Sequence, residues 1–284
     1  LVVIKTPFTY QGSKYTELKN LKSFIPKNSK IIEPFIGTGI VSYEFGKNGS
    51  CIGNDLNSDI YYIWKYSKER NQTFLSLITE YMQEENRYED YYYNLRDKFN
   101  KEYWKASDYS PEKSALFYYL INSCHAGLVR YGPNGFNVGF KLFLLNGRLY
   151  SIDKRVKLLL ECADKFEFFY NMNSIDFLKS IEIKISNYDV VYCDPPYVNS
   201  DTMYVDSWNN DNLMELDDYL FYLNKKYNTY SVLNNYYSDD IKYKGTISTR
   251  YNKLRMARTD VTMSDNIIVT YGNYDKGSLE CLFQ

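Results

Sequence analysis

Apolar and polar positions alternate along this chain in two textures. Near the start, "GSKYTELKNLKSFIP" places Leu18, Leu21 and Phe24 or Ile25 at helical spacing, with Pro26 to end the helix. "KIIEPFIGTGIVSYEF" then reads as a short buried strand, a glycine-containing turn and a helix. "SCIGNDLNSDIYYIWKYS" repeats that plan, with its strand ending on Asp55. Two strand-loop-helix units in succession predict a parallel α/β sheet. From about Tyr66 to Ser151 the pattern becomes charged, aromatic and helix-like, and no βαβ unit is visible. Within it, the Gly-Pro-Asn-Gly cluster between Val129 and Phe136 predicts a hairpin tip. The α/β rhythm then resumes with strand candidates in "KFEFFYNMNSIDFLKS" and "YDVVYCDPPY", the helix "NLMELDDYLFYLNKKY", and "NTYSVLNN" and "DNIIVTYGNY".

Composition narrows the field mainly by exclusion. The 284 residues allow one large domain or two smaller ones. Mean hydropathy of -0.49 and the lack of any apolar stretch of about eighteen residues argue against a membrane span. The four apolar residues before Lys5 are too few for a secretory signal, so a cytoplasmic protein is expected. A net charge of -1 gives no global attraction to nucleic acid, and any such binding must come from local patches. Five scattered cysteines without a CxxC pair read as free thiols. The single histidine, His125, rules out a multi-histidine metal site, and no metal is expected. The terminal "GSLECLFQ" reads as a linker and a 3C-type protease-site remnant, so 277–284 are set apart from the fold.

Chemistry concentrates at three places. Gly37 and Gly39 in "EPFIGTGIV" let the backbone approach a ligand just before a helix start. Asp55, 16 residues beyond Gly39, suits either a ribose-binding acid or a helix N-cap. Asp194-Pro195-Pro196-Tyr197 ends a buried run on a carboxylate, a rigid corner and an aromatic ring. The carboxylate beside a proline carbonyl offers two acceptors to an exocyclic amino group, and the ring can stack on a heterocycle. An ordinary turn with a core tyrosine is the alternative for the tetrapeptide alone.

The order "YQGSK", "EPFIGTG", "ND", "CHAGLVRYGPNGFNVGF", "VVYCDPPY" resembles the Dam-type DNA adenine-N6 methyltransferases, from about Pro7 to Tyr271. The resemblance implies a Rossmann-like S-adenosylmethionine-dependent α/β sheet with an inserted helical and β-hairpin target-recognition domain. Residues 1–65 and 152–276 would be catalytic, and 66–151 would read DNA. It implies a cofactor site at Tyr10, Gly12, Lys14, Glu33, Phe35, Gly37, Gly39, Asp55, Asp176, Phe177 and Asp194, and a catalytic motif at Asp194, Pro195, Pro196 and Tyr197. Arg130 would read a guanine and Leu128 an adjacent base. His125 stands where the family has an intercalating tyrosine, so it is either a wedge or a buried structural histidine. Ala126 replaces a family asparagine.

The implied activity is methyl transfer to N6 of a flipped-out adenine in double-stranded DNA, at a GATC- or GATATC-like site, by a monomer in a bacterium or phage-infected host. RNA adenine or cytosine N4 as substrate, or a DNA-binding protein without turnover, are the alternatives. Ile241 to Arg258 carries Lys242, Lys244, Arg250, Lys253, Arg255 and Arg258 without an acid, which suits phosphate contact or a solvated basic face. Asp201 to Asp218 holds six acids and no base, read as a solvated helix and its N-terminus.

Overall fold

Isoleucine and valine runs too short for helices build the centre of the molecule. The structure, a computed structural model, describes residues 6–107, 109–141, 151–197, 208–256 and 261–274, with backbone only at 84, 253–256 and 261–264. The strands are β1 (Ile31–Glu33), β2 (Cys51–Asn54), β3 (Tyr131–Gly132), β4 (Gly135–Phe136), β5 (Phe166–Tyr170), β6 (Val190–Cys193), β7 (Ser231–Tyr236), β8 (Thr246–Met256) and β9 (Val261–Tyr271). Seven of them form one sheet in the order β5-β2-β1-β6-β7-β9-β8. Pairings from β5 through β7 are parallel, and β9 runs antiparallel to both β7 and β8.

The helices are α1 (Leu18–Leu21), α2 (Ile40–Phe45), α3 (Ser58–Lys68), α4 (Gln72–Tyr81), α5 (Glu89–Glu102), α6 (Pro111–Ser123), α7 (Ile152–Ala163), α8 (Ser174–Ser180) and α9 (Asn210–Tyr227). Side-chain alternation along the strands splits the core into two layers. Ile31, Val190 and Tyr192 face a cluster shared with α2 to α7, whereas Ile32, Val191 and Cys193 face one shared with α8 and α9. Leu213, Leu216, Leu220 and Leu223 supply the buried stripe of α9, and Asn209 and Asn212 cap its start reciprocally. The sheet is thus covered on both faces, as parallel strands require.

Two elements depart from the sequence reading. The N-terminal helix is a 3-10 turn, Lys14–Glu17, followed by the single turn α1, and it does not reach Pro26. Leu21 and Ile25 are nevertheless buried, so the apolar spacing marked core positions rather than helix length. The basic segment after Ile241 contains the edge strand β8, paired with β9 along its length. An edge strand with one wet face carries weak hydrophobic alternation, which hid it among the lysines and arginines.

Strand order reverses between β1 and β6, whose carboxyl ends flank the crevice where open α/β sheets bind ligands. The four described cysteines are free and buried. Among the described residues no helix is long and apolar enough to cross a membrane.

Within the acidic stretch, Asp217 is not a solvated residue. It is fully buried on α9 and accepts from the Tyr271 hydroxyl at 2.6 Å and the Lys244 backbone N–H at 3.0 and 3.1 Å. Asp217→Ala strands both donors, so urea unfolding should show a loss of roughly 1–3 kcal/mol without a change in m.

Candidate active site

The crevice is built from the loops that leave β1, β2 and β6. Glu33 ends β1, and its buried carboxylate accepts from the Ser42 backbone N–H of α2 at 2.8 Å. Burial raises its pKa to about 7 against that hydrogen bond, with a smaller contribution from the charge of Asp194. Gly37 and Gly39 both adopt left-handed backbone, with φ of 45° and 60°. A Cβ on Gly39 would stand 3.0 Å from the Trp64 ring, whose N–H donates to the Gly37 carbonyl at 2.9 Å. The Tyr10 ring lies 3.6 Å from where a Gly37 Cβ would be, and Phe35 meets Trp208 edge-on.

Asp55 follows β2 and is gripped by the same loop. Its carboxylate accepts from the N–H groups of Gly37 at 3.0 Å and Asn57 at 2.9 Å. Asn57, not Asp55, is the N-cap of α3, which answers the alternative left by the sequence. Burial raises the Asp55 pKa to about 6, opposed by those two N–H groups. Asn54 donates to the Pro34 and Met172 carbonyls, tying together the ends of β1, β2 and β5. Asn173 caps α8; Asp176 is exposed in its first turn, while Phe177 is wholly buried against Tyr170.

Asp194 follows directly on β6, with Pro195 buried beneath it. The Lys14 ammonium, only 4% exposed, lies 2.7 Å from the Asp194 carboxylate. It donates to the Tyr197 hydroxyl at 2.7 Å and the Gly12 carbonyl at 3.2 Å, and stands 4.0 Å from Glu17. Burial alone would lower the Lys14 pKa, but the Asp194 carboxylate, the Tyr197 oxygen and the Glu17 carboxylate outweigh it and hold it well above the usual lysine value. Tyr197 stacks on Tyr236 at 3.9 Å between ring centroids. Behind this, Glu17 accepts from the Asn234 amide at 2.9 Å and from the Tyr251 hydroxyl.

Glu17, Asn234, Tyr236 and Tyr251 were not anticipated from the sequence. A usable signal existed for one of them, since Asn234 follows the apolar pair Val232 and Leu233 in β7 and is itself buried.

The hairpin predicted around Gly-Pro-Asn-Gly is β3 and β4, in register Tyr131↔Phe136 and Gly132↔Gly135. Gly127, at φ 64°, roots it against the N-terminal loop: a Cβ there would sit 2.6 Å from the Thr9 backbone, and the Gln11 N–H donates to its carbonyl. His125 is exposed, so it is not a buried structural histidine; Leu128 and Arg130 are half-buried. Arg130 donates to the Asn137 side chain at 2.7 Å and backbone carbonyl at 3.2 Å.

Of the other basic residues, Lys242 is exposed in the loop before β8. Lys244 pairs with Asp218 at 2.7 Å, and Arg250 pairs with Asp265 and covers the Tyr237 ring. The side chains of Lys253 and Arg255, and all of Arg258, lie outside the described residues. Among the described residues no group of three or more potential metal ligands gathers.

Compared with known families, residues 10–263 match the D12 class N6 adenine-specific DNA methyltransferases. The chain is 30% identical over 195 residues to the DNA adenine methylase of Escherichia coli K12, covering 66% of this chain and 63% of that protein. It is 31% identical over 191 residues to the DNA adenine methylase of Salmonella typhimurium LT2, covering 66% and 63%. It is 29% identical over 191 residues to the DNA N-6-adenine-methyltransferase of Escherichia phage P1, covering 67% of this chain but 24% of the relative. The alignments therefore span less than two thirds of each relative's length.

Lys14→Met should expose how strongly the charge cluster depends on its cation. Removing one partner of a buried pair leaves carboxylates facing each other, at a cost of roughly 3–5 kcal/mol. Chemical denaturation should show that loss, and an unchanged midpoint would contradict the role assigned to the ammonium.

Proposed function

The chain belongs to the D12 class of N6 adenine-specific DNA methyltransferases, and on that premise we propose that it methylates N6 of adenine in duplex DNA at a GATC- or GATATC-like site, using S-adenosylmethionine. The observation that carries the reading is the position of Asp194-Pro195-Pro196-Tyr197. It leaves β6 at the sheet's reversal point, beside the glycine loop that leaves β1.

The crevice suits that cofactor. Left-handed Gly37 leaves the space beside the Tyr10 ring free of a side chain, left-handed Gly39 lets the loop lie on the Trp64 ring, and the acids Glu33 and Asp55 match a cationic methionine end and a ribose diol. Tyr10, Gly12, Lys14, Phe35, Asp176 and Phe177 complete the proposed site, with fully buried Phe177 acting as support beneath it. When bound, S-adenosylmethionine supplies an already activated methyl group. The protein's task is then orientation. Asp194 and the Pro195 carbonyl accept from adenine N6, favour a pyramidal nitrogen with its lone pair directed at the methyl, and stabilise the developing positive charge. Pro196 fixes the corner, and Tyr197, which lies against Tyr236, would stack on the target base.

Because N6 is paired inside duplex DNA, the base must leave the stack. We assign recognition to 66–151, with Arg130 on a guanine, Leu128 on a neighbouring base and exposed His125 as the wedge. Residues 1–65 and 152–276 would carry the chemistry. Among the described side chains of the basic segment, Lys242 is best suited to phosphate, since Lys244 and Arg250 already have acidic partners, and Lys253 and Arg255 are proposed as further contacts. The enzyme is proposed to act as a monomer in the cytoplasm of a bacterium or phage-infected host.

Incubation with tritiated S-adenosylmethionine tests the reading: label should enter unmethylated duplex DNA and not RNA or adenine-premethylated DNA. Label in cytosine or RNA would reject it. Asp194→Ala should cut transfer by roughly a thousandfold while the protein still melts cooperatively, because Lys14 keeps Tyr197 and Glu17.

The acids predict a pH signature. Their folded pKa values, about 7 for Glu33 and about 6 for Asp55, lie above the ordinary 4.5 and 3.8. Ionising them in the folded state is unfavourable, so the free protein should lose stability as pH rises through that window, with the penalty absent below it and complete above about 7. A cationic ligand lowers both pKa values and releases protons. Affinity should therefore climb with pH towards 7 and then level off. Calorimetry at pH 6.5 in phosphate and in Tris should give different binding enthalpies; equal enthalpies would contradict the linkage.

A further inference from the structure

We propose that Asn137 is a specificity-determining positioning residue: it holds the Arg130 guanidinium by one edge so that the other edge meets a guanine. The proposal rests on the assignment of Arg130 to base reading made above. The Nε of Arg130 donates to Asn137 Oδ1 at 2.7 Å, and Nη2 donates to the Asn137 carbonyl at 3.2 Å. These two contacts occupy the side edge of the planar fork. Nη1 and the second hydrogen of Nη2 remain as a parallel pair at the end of the side chain, the geometry that meets guanine O6 and N7. A long side chain otherwise loses much rotamer freedom on docking, and fixing it beforehand reduces that cost.

The seat for Asn137 is built into the hairpin. Its own N–H donates to the Arg130 carbonyl at 3.0 Å, placing the two residues opposite each other. A Cβ on Gly132 would stand 2.5 Å from Asn137 Nδ2, so any side chain there would push the amide out of this position. From behind, Asn100 of α5 accepts the Phe136 N–H at 2.7 Å and donates to the Phe136 carbonyl at 3.0 Å, and Tyr92 donates to the Val138 carbonyl at 2.8 Å. Asn137 is thus flanked by two clamped neighbours, both buried.

The experiment maps every methylated adenine after incubation with genomic DNA from a host lacking adenine methylation, for wild type, Arg130→Ala, Asn137→Ala, Asn137→Asp and Gly132→Ala. The position relaxed by Arg130→Ala identifies the guanine it reads. Asn137→Ala and Gly132→Ala should each weaken discrimination at that same position, on the order of tenfold, with other positions unchanged. Asn137→Asp, which keeps the oxygen acceptor, should stay near wild type, and Arg130→Ala/Asn137→Ala should relax no further than Arg130→Ala. Wild-type discrimination in Asn137→Ala would overturn the proposal. So would a uniform loss over all sites, the mark of a phosphate contact or an unfolded hairpin. If the wild type methylates but Arg130→Ala changes no position, the base-reading assignment fails and the inference with it; no methylation by wild type removes the enzymatic reading itself.

Discussion

A buried ammonium cannot stand alone. Lys14 is desolvated at the crossing of the N-terminal loop and the end of β6, and it is tolerable there only because Asp194, Tyr197, the Gly12 carbonyl and Glu17 surround it. The dependence is mutual. The ammonium in turn separates the Asp194 carboxylate from Glu17 and donates to the Tyr197 hydroxyl. Through Glu17 the cluster reaches Asn234 on β7 and Tyr251 on β8, so the edge hairpin of the sheet braces the Asp194–Tyr197 corner. Four segments far apart in sequence are thereby locked around one charge.

The same loop also touches the root of the β3–β4 hairpin. Gly127 lies against the Thr9 backbone, and Thr9 itself donates its N–H to Asn122 at the end of α6. On the far side of the crevice, the Tyr131 hydroxyl donates to Asp59 at 2.9 Å, four residues along the chain from Asp55. The hairpin is therefore pinned at its root to the N-terminal loop and at its first strand to α3, so one set of supports holds both the hairpin and the crevice.

Much of the framework was legible as pattern. The strands around Ile31, Cys51, Phe166, Val190 and Ser231 are short apolar runs followed by turn residues, and the hairpin tip carries its own signature in Gly-Pro-Asn-Gly. The D-P-P-Y corner and the glycine loop were recognisable through their order along the chain, which resembles the Dam-type family, and neither would have been decisive alone. What escaped was decided by neighbours. β8 reads as a basic stretch because only one of its faces is covered. The first helix is shorter than its apolar spacing suggests because Leu21 and Ile25 are buried from a turn rather than from a continuous helix.

By itself the sequence determined the parallel strands of the sheet, which loops carry glycine or proline where ordinary backbone would fail, and which residue types stand ready for chemistry. Those are local properties, written in hydrophobic period and permitted φ. Only the tertiary structure decided that Lys14 belongs to Asp194 and Tyr197, that Asn57 rather than Asp55 caps α3, and that Lys244 and Arg250 already have partners while Arg130 is steadied by Asn137. Charge pairing depends on distances between residues that may be a hundred or more positions apart, and no periodicity along the chain encodes such a distance.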